Sequence, residues 1–432
     1  MRAAFIIKLW LTPLVLISMS ACSSTSESES ETPQEVTTVP SPTVRQLETI
    51  MTEEPEETSL ELPCTISLWH SFDQDEIESL LSVAEAYQEN QPDVEFDFLY
   101  SPNFDLRDKY AEAAVSGGGP SILVGSGEWG PVFYNDLLVQ DLSGFVDAQD
   151  LSAINSAALT SVQYQGGLIG LPLNIKGVLM FRNAEIMPEP PKSFSDLLNQ
   201  AQVATSGDMI GAYLDYGLYY SAGLLEAAGG SLMDADGNPL FNDNAGIEWV
   251  EMLKRYTEAG PIEQNNDNDL NLFKEGRVGV IIGDLSNTSD LADAIGFENL
   301  MIDEWPAEMS GFIESDTIYL NANLTGHDLD CGWSFMQYLI STEAQEMFAD
   351  PSMAGFIPSV EAIELTDAKQ QQAANAFSKG IPLPIIPEMS AYWEPLNYAL
   401  LSAVELDVDP AEALSAADQA ISMRISEMHQ EN

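Results

Sequence analysis

At 432 residues, 45% of them apolar, the chain is long enough to bury a large core and is expected to form two or three domains. Its 69 acidic residues against 15 basic ones give a net charge of −54, which excludes nucleic acid and anionic lipid surfaces as electrostatic partners because like charges repel. The acids are spread along the whole chain, a pattern that serves solubility rather than a recognition tail.

The first residues read as an export signal. Arg2 and Lys8 bracket its start, the apolar run from Leu9 to Ile17 is too short to span a bilayer, and "SMSAC" closes it. Residues 1–21 are therefore expected to be a signal peptide. Ser20 and Ala21 before Cys22 resemble a bacterial lipobox, which implies lipidation at Cys22 and anchoring to the outer face of the cell membrane; simple secretion is the alternative. Residues 22–63 are rich in Ser, Thr, Glu and Pro and lack a periodic apolar face, so they read as a disordered tether. Cys64 and Cys331 remain as an even pair in an oxidising compartment, either bridged or as two separate buried thiols. The histidines, His70, His327 and His429, are isolated from one another, so no zinc spacing arises and neither metal nor cofactor is expected.

From Cys64 onward the chain becomes regular. "CTISLWH" predicts a buried strand, and "DEIESLLSVAEAYQENQPD", apolar at Ile77, Leu80, Leu81, Ala84 and Tyr87, predicts an amphipathic helix. "VEFDFLY" follows as a second strand, "LRDKYAEAAVSGGGP" as a helix stopped by its glycines, and "SILVGS" as a third strand. This alternation predicts an α/β fold with a parallel sheet, whose ligands bind at the carboxyl ends of the strands, near His70, Ser71, Phe72 and residues 125–129. Two other strings carry no site. "DADGNPLFND" has its glycine one position early for a calcium loop and no closing Glu, and "SGGGP" lacks the Lys-Ser/Thr of a phosphate loop.

Three later stretches, "YQGGLIGLPLNIKGVLMFRNAEI", "PEPPKSFSDLL" and "IPEMSAYWEPL", occur in an order and spacing that resembles the extracellular solute-binding proteins of ABC sugar importers, the maltodextrin-type binders. The resemblance runs from about Thr65 to the C-terminus. It implies a periplasmic-binding-protein-like α/β fold with parallel-rich sheets in two lobes joined by hinge crossovers. The N-terminal lobe would take residues 65–174 and 317–355, and the C-terminal lobe residues 175–316 and 356–432. It further implies a monomer that binds a carbohydrate in the cleft between lobes, delivers it to ABC permease subunits and performs no catalysis.

A pyranose offers a flat face of C–H groups and a rim of hydroxyls, so its site needs aromatic platforms and polar groups. By resemblance Trp393 is the platform, with Tyr392 beside it; the alternative is that Trp393 packs in a core. Glu128 and Trp129 are placed at the cleft mouth, and Tyr213, Asp215 and Tyr216 in a polar-aromatic contact segment. Asp284 ends the strand "VGVIIGD", and His70 ends "ISLWH" as a candidate hydrogen-bonding group. Tyr219 and Tyr220 are expected to be helical packing. Two departures bear on the ligand: Lys176 stands where an acidic residue is usual, and Leu285 follows "IGD" where a Trp is usual, which implies a different or shorter sugar. Two other readings stay open. A cationic solute such as a polyamine could pair with Asp215, Glu128 and Asp284, and a secreted glycosidase would need two carboxylates facing each other across a scissile bond.

Overall fold

Asp73 starts the first long helix, Gln74–Asn90, by accepting the backbone N–H groups of Asp75 and Glu76, while the Glu76 carboxylate accepts the Asp73 N–H. This reciprocal cap satisfies donors that a helix N-terminus otherwise leaves unpaired. The structure, a computed structural model, describes residues 63–146 and 148–431; the signal peptide, Cys22 and all but the last residue of the tether segment lie outside them. Strand Cys64–His70 precedes this helix, and strand Val94–Tyr100 follows it and pairs parallel with the first in register from Cys64 opposite Val94 to His70 opposite Tyr100. A second helix, Asn103–Val115, leads to strand Ile122–Ser126, parallel on the other side of Cys64–His70.

Two later strands, Leu171–Pro172 and Asp316–Leu320, complete this five-stranded sheet, the latter antiparallel to its neighbours. Ile66, Leu68, Ile122, Val124, Ile318 and Leu320 are buried in the core that the sheet forms with its helices. Cys64 and Cys331 are joined by a disulfide with a Cα–Cα distance of 6.2 Å, which ties the first strand to helix Gly326–Leu339 across 267 residues of sequence.

The second sheet is organised around one long strand, Asn174–Asn183. It runs antiparallel to Val278–Asp284, Leu300–Asp303, Phe312–Glu314 and Ile357–Pro358. Parallel pairing is confined to its flanks, at Ile210–Ala212 beside Val278–Asp284 and at Ile381–Pro382 beside Phe312–Glu314. Gly177 lets the central strand change neighbours. Its φ of 153° lies in a region that L side chains rarely adopt, and an added Cβ would stand 2.2 Å from the Phe312 carbonyl oxygen. On the same strand Arg182 is buried and forks onto Asp303, with Nε 2.6 Å and Nη2 3.0 Å from the two carboxylate oxygens, while Nη1 donates to the Met187 carbonyl at 2.6 Å. A buried ion pair is tolerable when its donors are satisfied in this way.

The chain passes between the two sheets between Pro172 and Asn174, between Glu314 and Asp316, and between helix Thr342–Phe348, packed on the first core, and strand Ile357–Pro358. The first two passages lie side by side. Asn174 Nδ2 donates to Asp316 Oδ2 at 2.8 Å, and the Asp316 N–H returns a bond of 2.9 Å to Asn174 Oδ1.

Candidate functional site

A cavity of about 750 Å³ opens where the strands of the first sheet end and the second sheet's helices begin. Its walls come from segments far apart in sequence. Ser71–Asp73 and Gly125–Glu128 follow the carboxyl ends of parallel strands, Lys176 and Glu314–Asp316 sit at the passages between sheets, Asp284 ends strand Val278–Asp284, and Tyr219 and Trp393 project from helix starts. Carboxyl ends of parallel strands are where open α/β sheets bind ligands, because loops there are free to vary while the sheet holds them in place.

Trp393 opens helix Trp393–Val404 after a tight turn over Pro387–Ala391, with Pro395 in the helix's first turn, where its missing N–H costs nothing. Its indole is half-buried against the second core and lies 6.5 Å, centroid to centroid, from the Tyr219 ring. From there Nε1 donates across the cavity to Glu128 Oε2 at 3.2 Å. Tyr219 donates its hydroxyl to Glu314 Oε1 at 2.8 Å, and lies 3.4 Å from Asp284 Oδ2. The other Glu314 oxygen takes the Ser126 hydroxyl at 3.3 Å. Lys176 Nζ lies 2.6 Å from Asp316 Oδ1.

These groups set one another's charge. Burial raises the Glu128 carboxyl, Glu314 raises it further, and the Trp393 N–H partly offsets both. Burial likewise raises Glu314, against the pull of Lys176 and the Tyr219 hydroxyl. Glu76 is pushed up to about 7 by burial and then by Asp316. For Lys176 burial alone acts downward, but Asp316, Glu314 and Asp284 outweigh it, so the net shift is upward and the ammonium is secure. The result is a cavity with two aromatic faces and many oxygen acceptors, of which Glu76, pushed up to about 7, can also donate.

Of the residues expected from the sequence, Trp393, Glu128, Lys176 and Asp284 meet in this cavity. The others lie elsewhere, each for a local reason. Tyr392 is fully buried and donates its hydroxyl to the Gly237 carbonyl at 2.7 Å; it packs edge-on against Phe241 in the second core. Trp129 turns inward, its ring filling the slot that Gly125 leaves open and meeting Phe133. His70 is buried, its Nδ1 accepting the Phe72 N–H at 3.1 Å, and burial lowers it to about 4, so it is a neutral structural ring. Tyr216 is fully buried and bonded to Glu405. Tyr213 packs on the core beneath the second sheet beside Glu263, and Asp215 lines a separate, smaller cavity.

Tyr219, expected to be packing, is on the cavity wall, and Glu314, Asp316 and Glu76 join it there. The signal for the first two is "ESD" between two apolar strand runs, a charged interruption where a continuous buried strand would keep its apolar residues. Among the described residues, the side chains drawn together tightly enough for a metal ion are Cys64, His327 and Cys331, and two of these are spent on the disulfide.

Comparison with known proteins matches the bacterial extracellular solute-binding protein family over residues 82–377. The maltotriose-binding protein of Pyrococcus abyssi is 24% identical over 350 residues, covering 76% of this chain and 75% of that one. The galactooligosaccharide-binding protein of Bacillus subtilis is 24% identical over 369 residues, 79% and 85% of the two chains. Among solved structures, the GacH receptor of Streptomyces glaucescens superposes with a TM-score of 0.76 at 20% identity, covering 85% of this chain and 99% of its own. The maltose/maltodextrin-binding domain from Bdellovibrio bacteriovorus gives 0.73 at 21% identity, with 84% and 100% covered. With the family pattern running through more than half of its length and the same α/β architecture beneath it, this chain belongs to the bacterial extracellular solute-binding proteins.

Proposed function

We propose that the chain is an extracytoplasmic receptor that captures an oligosaccharide in the 750 Å³ cavity and hands it, uncleaved, to an ABC importer. The observation that carries this reading is the wall formed by Trp393 and Tyr219 facing Glu128, with the indole N–H bonded to that carboxylate. Flat aromatic faces suit the C–H face of a pyranose, and carboxylate oxygens suit its hydroxyls as acceptors. The names of relatives, for maltotriose and for galactooligosaccharide, support the same ligand class, and a streptococcal relative is named as a solute-binding lipoprotein. In this reading residues 65–174 with 317–355 and residues 175–316 with 356–432 are lobes that close about the passages between sheets. Cys22 carries the lipid that keeps a monomeric receptor beside its permease.

One observation favours a second reading. Carboxylates outnumber lysines on the cavity wall, and Lys176 is already held by Asp316, which suits a cationic solute such as a polyamine. A thermal-unfolding panel separates the two, since a ligand stabilises the state that binds it. A neutral oligosaccharide is expected to raise the unfolding temperature equally in low and high salt. Stabilisation by spermidine alone, lost in high salt, would replace the carbohydrate reading. Reducing ends are not expected to accumulate when the protein is incubated with oligosaccharide, and their release would overturn the receptor role.

A further inference from the structure

Helix Thr288–Ile295 runs along one wall of the ligand cavity. Ser286, Ser289, Asp293 and Phe297 all line that cavity, at the three- and four-residue spacing that keeps side chains on one side of a helix. The near end of this wall is Asp284, 3.4 Å from the Tyr219 hydroxyl and so beside the Trp393 wall. The eight helical residues, rising about 1.5 Å each, carry the chain about 12 Å away from it. The far end is Phe297, which among the described residues is the one exposed large apolar side chain on the cavity.

Phe297 is fixed from both sides in sequence and in space. Gly296 ends the helix at a φ of 94°, and its carbonyl accepts the N–H groups of Asn299 at 3.0 Å and Leu300 at 3.1 Å, a tight turn that sets the ring's direction. Against one face of the ring stands Lys369 Nζ, 4.6 Å from the centroid. Lys369 is itself immobilised: it is 5% exposed, donates to the Leu300 carbonyl, and gives its backbone N–H to Asp367 at 2.7 Å where helix Ala368–Phe377 begins. An ammonium over an aromatic face is attracted to the ring's quadrupole, so the lysine holds the ring from behind. The 47% of Phe297 left exposed therefore belongs to the opposite face and the edge. Ser289 and Asp293 stand on the same wall with a hydroxyl and a carboxylate, so a flat apolar face and polar groups meet here as they do at Trp393.

We propose that Phe297 is a second sugar platform, at the far end of the cavity from Trp393, and that the site is built for a chain of three or more sugar rings. The proposal rests on the carbohydrate reading above. One ring stacks on each platform, and a separation of about 12 Å along the wall is more than two directly linked rings span, so at least one further ring lies between them. Two platforms reached by one chain act as linked contacts, so affinity rises once the chain is long enough to touch both.

The test uses the full chain and two series of probes, maltooligosaccharides and galactooligosaccharides of two, three and four rings, with affinity measured by calorimetry. In a series that binds, affinity is expected to rise at least about ten-fold between two rings and four, the scale of one aromatic anchor. Phe297→Ala and Phe297→Leu are each expected to abolish that rise; the leucine keeps an apolar cover on Lys369 while removing the flat face. Phe297→Tyr keeps the face and is expected to keep the rise. Tyr398→Ala, at a ring 67% exposed away from the cavity, is expected to leave it unchanged. The proposal is overturned if two rings bind as tightly as four, or if Phe297→Ala and Phe297→Leu both keep the rise, and in either case the receptor reading survives. A Phe297→Ala protein that is less stable without ligand yet keeps the rise equally overturns it, leaving the ring as cover for Lys369. If no member of either series binds, the carbohydrate reading falls and the second platform with it.

Discussion

Lys176 and Asp316 lie 2.6 Å apart at the two passages that carry the chain between sheets, 140 residues apart in sequence. Glu314 and Asp284 surround the same ammonium, so it neutralises a cluster rather than one partner. Replacing Lys176 by Gln leaves those carboxylates to repel one another. Breaking a buried pair by removing one partner costs about 3–5 kcal/mol, and with side chains 27% and 14% exposed the lower end of that range is expected. Urea unfolding of Lys176→Gln checks this; a change under about 0.5 kcal/mol, the level of an ordinary surface substitution, would show that solvent already screens the cluster.

Trp393 and Tyr392 are adjacent, yet their truncations are expected to differ in kind. Trp393→Ala removes an aromatic face and the donor to Glu128, and ligand affinity is expected to fall by about 2–4 kcal/mol, the scale of an aromatic hot spot. Tyr392→Ala opens a cavity in the second core and is expected to cost about 3–5 kcal/mol of stability with little direct effect on affinity. Measuring unfolding without ligand and affinity with it, for both variants, separates a platform from packing. A Trp393→Ala protein that binds normally would remove the indole from the ligand site.

The pH dependence has a definite sign. Glu76 and Asp215 are each raised to about 7 and Asp269 to about 9, burial being the first cause for all three. Between the ordinary carboxylate range and those values the folded chain holds protons that the unfolded chain has lost. Their contribution is therefore complete at low pH and is lost as pH rises through 7 and then 9. His70, lowered to about 4, acts oppositely, and its contribution is lost as pH falls through 6.5 towards 4. Stability is expected to decline from pH 6.5 to 9, and Asp269→Asn is expected to flatten the upper part of that slope. A urea midpoint that climbs over this window would contradict the assignment.

Reducing the Cys64–Cys331 disulfide frees a very long loop in the unfolded chain. A loss of about 2–4 kcal/mol is expected, checked by unfolding with and without reductant. Cys331→Ser should lower stability to a similar extent, and indifference to both treatments would show that the thiols are unpaired in solution.

Membrane attachment is tested at Cys22. If the cysteine carries the anchor, Cys22→Ser is expected to move the protein from the membrane fraction to the soluble one; a variant that stays with membranes would end the lipoprotein reading.

The first sheet was legible in the sequence because its strands and helices alternate locally, and "CTISLWH", "VEFDFLY" and "SILVGS" carry their pattern within a few residues. The second sheet was less so, since its central strand is buried along nearly all its length and pairs with segments about a hundred or more residues away. In the site, Trp393 and Tyr392 differ because each step along a helix turns the side chain by about 100°, so of two neighbours at a helix start one faces the cavity and the other the core. The same uncertainty of helix start put Tyr216 forward where Tyr219 is the wall residue. Glu314 and Asp316 gain their meaning only from Lys176 and Tyr219, and no local pattern announces partners so distant.

The position of the disulfide has a mechanical consequence. Cys64 opens the first strand, next to Pro63, the first described residue, so a pull arriving from the N-terminal side reaches a covalent bond before it loads the strand's own hydrogen bonds. From Cys331 the force spreads along helix Gly326–Leu339, bypassing the shear of one strand past its neighbours. If the chain is held by a leash at this point, it can be tugged without its first strand being peeled from the sheet.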